Sequence, residues 1–322
     1  RSCNESGSSY ILLRELIAML DVLVNDNLKT ICLTYPKGAS SSIRTILMPP
    51  RPRDHPLSVN EFGEKWILDE TIDNSVIHKH LARYSDYKIY AFCREPVDRW
   101  ATGLLFMMHT KWDLFYSDVS NAGQEFADNA SNEYIKQLVL TMISINNQRC
   151  DFNDVHMHRE LFTLLQIKLI HSDRVHLMPL STMEGVLCDI HNAPRQTFKR
   201  VNTSDVGYEP SHGHHDNSLF ISKLHDRWKQ VIVNAVREQE DFSAVSNYLS
   251  IENKIYQQQV LSGQNAESIF LEILEGPSCK QATALFCGDM SSYLGFIDQL
   301  EAGSELHGRV VSNNYHFINK DH

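Results

Sequence analysis

The sequence predicts an α/β fold in three layers, a parallel sheet between two sets of helices, with its ligand-binding loops at the carboxyl ends of the strands. Three observations predict it. The β-rich runs TICLTY (30–35), YKIYAFC (87–93) and RVHLMPL (174–180) are each followed by a segment carrying apolar residues at helical spacing. The first junction, YPKGASSSIRTIL from Tyr35 to Leu47, reads strand, glycine-containing loop, helix, an order that aims backbone N–H groups at an anion. At 322 residues, 42% hydrophobic and 22% charged, the chain is long enough for one sizeable core and has a globular composition.

Residues 10–23, YILLRELIAMLDVL, show helical spacing and predict a lead-in helix, followed by the polar step NDNLK. After TICLTY, SSSIRTILM forms a helix stopped by Pro49 and Pro50, and RPRDHPLS (51–58) is an irregular excursion. YKIYAFC leads through REP into the helix VDRWATGLLFMM, giving a second strand-to-helix junction that can share a crevice with the first. Helical character returns at 130–144 and 158–169, then RVHLMPL and the helix STMEGVLCDI. Residues 192–217, broken by Pro194, Gly207, Pro210 and Gly213, form a loop, and helices at 218–237 and 241–249 close the main domain. Further on, NAESIFLEILEG predicts one more helix, while SSYLGFIDQL and HGRVVSNNYHFI alternate as strands do. The expected division is a lead-in region 1–27, a main domain 28–258 and a C-terminal appendage 259–322.

The net charge of −10, from 30 basic and 40 acidic residues, argues against a protein that coats nucleic acid, so any bound anion must be met by a local cluster. Seven scattered cysteines, with Cys32 and Cys93 inside strand-like runs, predict reduced thiols and leave one bridge open, Cys279 with Cys287. The polar opening RSCNESGSS precedes no apolar stretch long enough for a leader or membrane span, so a cytoplasmic protein without an integral membrane segment is expected.

The chemistry concentrates at the two junctions. Gly38 and Ala39 let the backbone curl around an anion, Ser40, Ser41 and Ser42 add hydroxyls, and Lys37 adds a mobile charge ahead of the turn. A serine-capped helix start is the plain alternative. In REPVDRWAT (94–102), Arg94 leaves the strand end and Thr102 follows at a spacing that lets guanidinium and hydroxyl converge on a phosphate. The plain alternative there is that Arg94 pairs with Glu95 or Asp98.

On these two stretches the chain resembles sulfotransferases that use 3′-phosphoadenosine 5′-phosphosulfate (PAPS): PKGASSS is similar to their 5′-phosphosulfate loop, and REPVDRWAT to their 3′-phosphate motif, an Arg with a hydroxyl residue eight positions later. The softer similarity of VHLMPLSTMEGVL, VNTS (201–204) and EDFSAVSNY (240–248) to carbohydrate-directed members extends the coverage to about residues 28–250. The resemblance implies a sulfotransferase-type fold with a P-loop-like phosphosulfate-binding loop. It implies that Lys37 binds the phosphosulfate bridge, that Gly38, Ala39, Ser40, Ser41 and Ser42 hold the 5′-phosphate, that Arg94 and Thr102 grip the 3′-phosphate, and that Lys199 and Arg200 close over the nucleotide, leaving PAP as product without a metal. The family usually has Gly where this chain has Ala39, a methyl group compatible with the loop only at negative φ.

In relatives the base is a His or Glu on the segment leading into the second strand, which here is DNSVIHKHLARYSDYK. His80 is favoured over His78, with His55, Glu61, Glu64, His109, Glu133, His156 and His158 behind them. HGHH (212–215) lacks the Cys or spaced carboxylates that would complete a metal shell, so no metal site is expected. Trp112, Phe115 and Tyr116 can stack on a sugar or adenine ring or pack on the sheet. Only RPR (51–53) and KR (199–200) form basic runs, which disfavours a heparin-like polymer. The expected acceptor is therefore a hydroxyl of a glycan, glycolipid or glycosylated small molecule. A nucleotide or sugar kinase with an atypical loop is the enzymatic alternative, weakened because no strand-ending Asp is evident. A glycan-binding protein that retains the nucleotide pocket without turnover is the non-enzymatic one.

Overall fold

The computed structural model describes residues 19–35, 39–48, 62–73, 77–110, 131–137, 160–171, 173–195, 218–237, 243–275, 296, 300 and 304–309. Five strands form one sheet in the order β3-β1-β2-β4-β5: β1 (Met19–Asn25), β2 (Thr30–Thr34), β3 (Ile67–Asp73), β4 (Lys88–Cys93) and β5 (Val175–Pro179). β2, β4 and β5 are mutually parallel, whereas β1 runs antiparallel to both β2 and β3. The sheet is thus mixed, and the expectation of a wholly parallel one is corrected.

The cause is a hairpin at its start. Residues 19–23 belong to the predicted lead-in helix but form strand. Leu20, Val22 and Val24 are buried in one core while Leu23 enters the core on the opposite face, a period of two rather than 3.6. The polar step is the hairpin turn: Leu28 N donates to Asn25 Oδ1 at 3.0 Å, and Lys29 adopts φ 50°. Pairing then runs from Asn25↔Thr30 to Asp21↔Thr34.

Helices cover both faces. On one lie α2 (Ile77–Ala82), α4 (Glu160–Ile170), α7 (Ser243–Ile255) and α8 (Ala266–Glu275), whose Ile77, Leu81, Leu164, Ile255 and Phe270 share a core with Ile31, Leu33, Ile89 and Val175. The opposite face is covered by α1 (Ser40–Leu47) and α5 (Met183–Ile190), through Ile43, Leu47 and Leu187 against Leu23, Cys32 and Phe92. Ile43 and Leu47 are 0% and 1% exposed, and burial of about 2 kcal/mol each pins α1 and hence the loop before it. Between them in sequence, α3 (Pro96–Thr110) packs against α6 (Ser218–Arg237). Ile269, Phe270, Phe296 and Leu300, which follow the expected boundary at 258, pack into the core of the sheet. Cys32, Cys93 and Cys188 are free and buried, as the sequence predicts for thiols in apolar runs, and burial pushes the Cys32 thiol up to about 12. No helix among the described residues is long and apolar enough to cross a membrane.

Candidate functional site: two junctions on the carboxyl edge

β2 and β4 are parallel neighbours, paired from Thr30↔Lys88 to Leu33↔Ala91, so the chain leaves both strands at the same edge of the sheet. From β2 it passes through Tyr35 to Ala39 and α1. Lys37 and Gly38 lie outside the described residues. Ala39 has φ 66° and ψ 22°, the left-handed conformation that glycine tolerates and alanine resists. A negative φ, the condition for a methyl group to be compatible with the loop, is not met: the alanine is held in the left-handed region and packs against the core beneath α1. Its carbonyl accepts the first helical bond, from Ile43 N at 3.0 Å. α1 carries no side-chain cap and no acidic residue in its first turn, so the positive end of its dipole is not neutralised from within. Ser40 is half-buried at that end, Ser41 follows it on the helix, and Ser42 is buried.

At the second junction Arg94 follows β4 directly. Its Nε contacts the Asp98 carboxylate one helical turn on, so the plain local pairing is realised. Asp98 N donates to Glu95 Oε2 at 2.7 Å, and Thr102 Oγ1 donates to Asp98 O at 2.8 Å. Asp98 and Thr102 thus succeed one another one turn apart on α3, with Arg94 just ahead of the helix. A cation from a distant part of the chain joins them, because Lys229 Nζ on α6 contacts the other Asp98 oxygen. Burial by itself would raise the Asp98 pKa, but the charges of Arg94 and Lys229 outweigh it and hold the carboxyl below its ordinary value. Arg237 lies 3.7 Å from Glu95.

Beneath both junctions is a buried ionic cluster that sequence reasoning missed. Arg99 Nε, on α3, sits 3.1 Å from Glu160 Oε2 at the start of α4, with side chains 5% and 2% exposed. Glu252 of α7 accepts from Leu161 N at 2.9 Å and Phe162 N at 2.8 Å, and so caps α4. Burial pushes the Glu160 carboxyl up to about 7 against the opposing charge of Arg99, with Glu252 adding to the rise. Burial, reinforced by Glu160, raises the Tyr35 phenol well above its usual value at the very exit of β2. The available signal was that residues 160–167 are apolar apart from Glu160, Thr163 and Gln166; an acid in so buried a run needs a cation.

A second missed residue is Asp21. Its strand partner is Thr34, the last residue of β2, whose Oγ1 donates to Asp21 Oδ2 at 3.2 Å, while Arg44 of α1 binds the same oxygen. The hairpin thus sets a carboxylate beside the loop where no strand-ending Asp was evident in the sequence.

The two favoured histidines are not brought to this edge. α2 feeds through the turn at 83–86 into the amino end of β4, and the six residues of that strand span about 17 Å at ~3.3 Å per step. His78, 4% exposed, lies against His171 before β5, and burial drives its pKa down to about 3, with His171 adding to the effect. His80 Nε2 is 2.8 Å from Asp69 Oδ2, which also accepts from the Tyr84 hydroxyl at 2.6 Å. Both lie on α2, ahead of the amino end of β4. Of the other base candidates, Glu133 is exposed and hydrogen-bonded to Gln137, and Glu64 to Asn27. His55, Glu61, His156 and His158 lie outside the described residues, as do Lys199, Arg200, residues 51–53, Trp112, Phe115, Tyr116 and 212–215. For His109 only the backbone, in α3, is described. Among the described residues no group of three or more His, Cys, Asp or Glu is arranged to hold a metal ion.

No family model matches the chain, and no curated protein or solved structure matches it significantly.

Proposed function

We propose that this chain transfers a sulfuryl group from PAPS to a hydroxyl of a carbohydrate or glycosylated acceptor. The observation that carries the reading is the parallel pairing of β2 with β4, which opens two strand-to-helix junctions side by side on one edge. A donor with a 5′-phosphosulfate and a separate 3′-phosphate asks for two anion-holding junctions of this kind. In this reading Lys37 would meet the charge that grows on the bridging oxygen as the sulfuryl group departs. The first-turn amides of α1, with Ser40, would hold the 5′-phosphate, and Arg94 with Thr102 the 3′-phosphate. Support comes from the α1 N-terminus, where no first-turn acid competes for the amides. When bound, the donor supplies the activated sulfuryl group and leaves as PAP. The protein's part is to hold both phosphates and align the acceptor.

One observation favours a second reading. Asp21 beside Thr34 gives the loop edge a carboxylate, which a kinase would use to hold a divalent cation against its nucleotide phosphates. Its engagement by Arg44 weighs against that use. Calorimetric titration of PAP without magnesium, and of ATP with magnesium, separates the two. The sulfotransferase reading expects PAP to bind and ATP to bind more weakly, and expects labelled sulfate to move from PAPS to neutral glycans. Preference for magnesium ATP, lost in Asp21→Asn, would overturn it. PAP binding without transfer to any glycan, glycolipid or phenol would leave a binding protein.

A further inference from the structure

Lys229 belongs to none of the motifs in the sequence, yet it meets Arg94 across a single carboxylate. Arg94 Nε contacts Asp98 Oδ2 and Lys229 Nζ contacts Asp98 Oδ1, so both oxygens are taken, one by each cation. Two turns further along α6, Arg237 lies 3.7 Å from Glu95. The packing of α6 on α3 therefore aligns two cations with the two acids flanking Arg94. Three positive groups face two negative ones. The side chains of Lys229, Arg94 and Asp98 are 20%, 26% and 30% exposed, so their charges act through partly desolvated surroundings.

Asp98 holds Arg94 by one contact, Nε to Oδ2, and so competes with a ligand phosphate for that edge of the guanidinium. A phosphate that takes that edge releases the carboxylate. Were Arg94 the sole partner of Asp98, that displacement would strand a half-buried carboxylate and weaken the exchange. With Lys229 on the other oxygen, Asp98 stays paired throughout.

We infer that Lys229 is a positioning residue for anion binding, holding Asp98 in place while Arg94 transfers from that carboxylate to a ligand phosphate. The inference rests on the reading of Arg94 as the 3′-phosphate ligand. Two consequences differ from those of a merely structural ion pair. Removing Lys229 ties Asp98 more closely to Arg94 and weakens phosphate binding, whereas neutralising Asp98 removes the competitor and strengthens it.

The test is calorimetric titration of PAP, and of AMP as a ligand lacking the 3′-phosphate, into the full chain and its Lys229→Met, Lys229→Arg and Asp98→Asn variants, with thermal unfolding followed in parallel. Lys229→Met is expected to weaken PAP binding about tenfold, the loss of roughly one charge-assisted contact. Lys229→Arg, which retains the charge, restores it, and Asp98→Asn tightens it several-fold. AMP affinity stays level across the series. Equal PAP affinity in Lys229→Met and the parent overturns the inference, as does weaker binding in a folded Asp98→Asn variant or a loss shared equally by AMP. A parent chain that binds PAP while Lys229→Met matches it defeats this inference alone, whereas a parent chain that fails to bind PAP defeats the donor reading with it.

Discussion

Replacing Arg99 by methionine tests whether the floor of the site is held by charge. Arg99 and Glu160 face each other at 3.1 Å with side chains 5% and 2% exposed, and Glu252 lies near enough to raise the Glu160 pKa further. Methionine fills much of the arginine volume without its charge. It leaves Glu160 buried beside Glu252 with Arg94 as the opposing charge that remains, a loss that reaches about 3–5 kcal/mol only where the carboxylate is forced to stay ionised. The size of that loss should follow pH. With a folded pKa of about 7 against 4.5 when exposed, Glu160 holds its proton more tightly in the folded chain, so its contribution to stability falls as pH rises through that window, by about 3 kcal/mol in all. Removing Arg99 pushes the folded pKa higher still. At pH 8, about one unit above the parent's folded pKa, the variant keeps Glu160 protonated and forgoes up to about 1.4 kcal/mol that ionisation beside Arg99 provides, whereas at pH 5 Glu160 is protonated in both and about 1 kcal/mol or less is lost. Urea unfolding of both proteins at pH 5 and pH 8, with slopes checked for equality, measures the difference. Equal destabilisation at the two pH values would refute the argument, because it would mean that Arg99 contributes packing rather than charge.

Three further outcomes are expected. Ala39→Val should destabilise by about 1–2 kcal/mol, since a β-branched residue resists φ 66°, while Ala39→Gly should stay within about 0.5 kcal/mol as relief of strain offsets lost chain entropy and methyl packing; a neutral Val in thermal unfolding would show that the backbone there is not left-handed. His78→Phe should flatten acid sensitivity. The buried imidazole, at about 3 against 6.5, resists protonation in the fold, so its contribution is lost as pH falls from 6.5 towards 3, about 2 kcal/mol by pH 5, and a variant that unfolds along the parent's pH curve would contradict this. Glu252→Ala removes both acceptors from the start of α4 and should cost about 2 kcal/mol or more, with faster amide exchange at Leu161 and Phe162 as the local sign; unchanged exchange would count against the cap.

What was legible in the sequence was what local pattern decides. β2, β4 and β5 are short apolar runs ending in turn or helix signals, and α1, α3, α5 and α8 follow with apolar residues at helical spacing. β1 was misread because YILLRELIAMLDVL satisfies the helical period as well as the extended one, and what settles it is the partner strand across the turn at Asn25–Lys29. β3, ILDETID, was not seen at all. With Asp69, Glu70 and Asp73 among its seven residues and Leu68 39% exposed, it owes its conformation to the open edge of β1 rather than to an apolar pattern of its own. In the site, Arg94 and Thr102 could be read from their spacing, but Lys229 reaches Asp98 from another helix far along the chain. The Arg99–Glu160 and Glu252–Leu161 contacts likewise join segments that no local pattern connects.

The misplaced histidines follow from the same limit, and they narrow the chemistry. Sequence order put His78 and His80 ahead of a strand whose far end carries Arg94, but a strand has two ends, and α2 enters at the amino one. A general base must come within about 3 Å of the acceptor hydroxyl, so a residue a strand's length away cannot serve. Around the carboxyl edge Asp21 is engaged with Arg44, Glu95 with Arg237, Asp98 with Arg94 and Lys229, and Glu160 with Arg99, while Glu252 caps α4. At Asp98 that pairing favours the charged carboxylate and reduces its pull on a proton. Glu160 is pushed the other way by burial, and the same burial keeps a substrate hydroxyl away from it. The described acids of this edge are therefore poorly placed to remove a proton. For the proposed transfer the proton acceptor has to be sought among His55, Glu61, His109, His156 and His158.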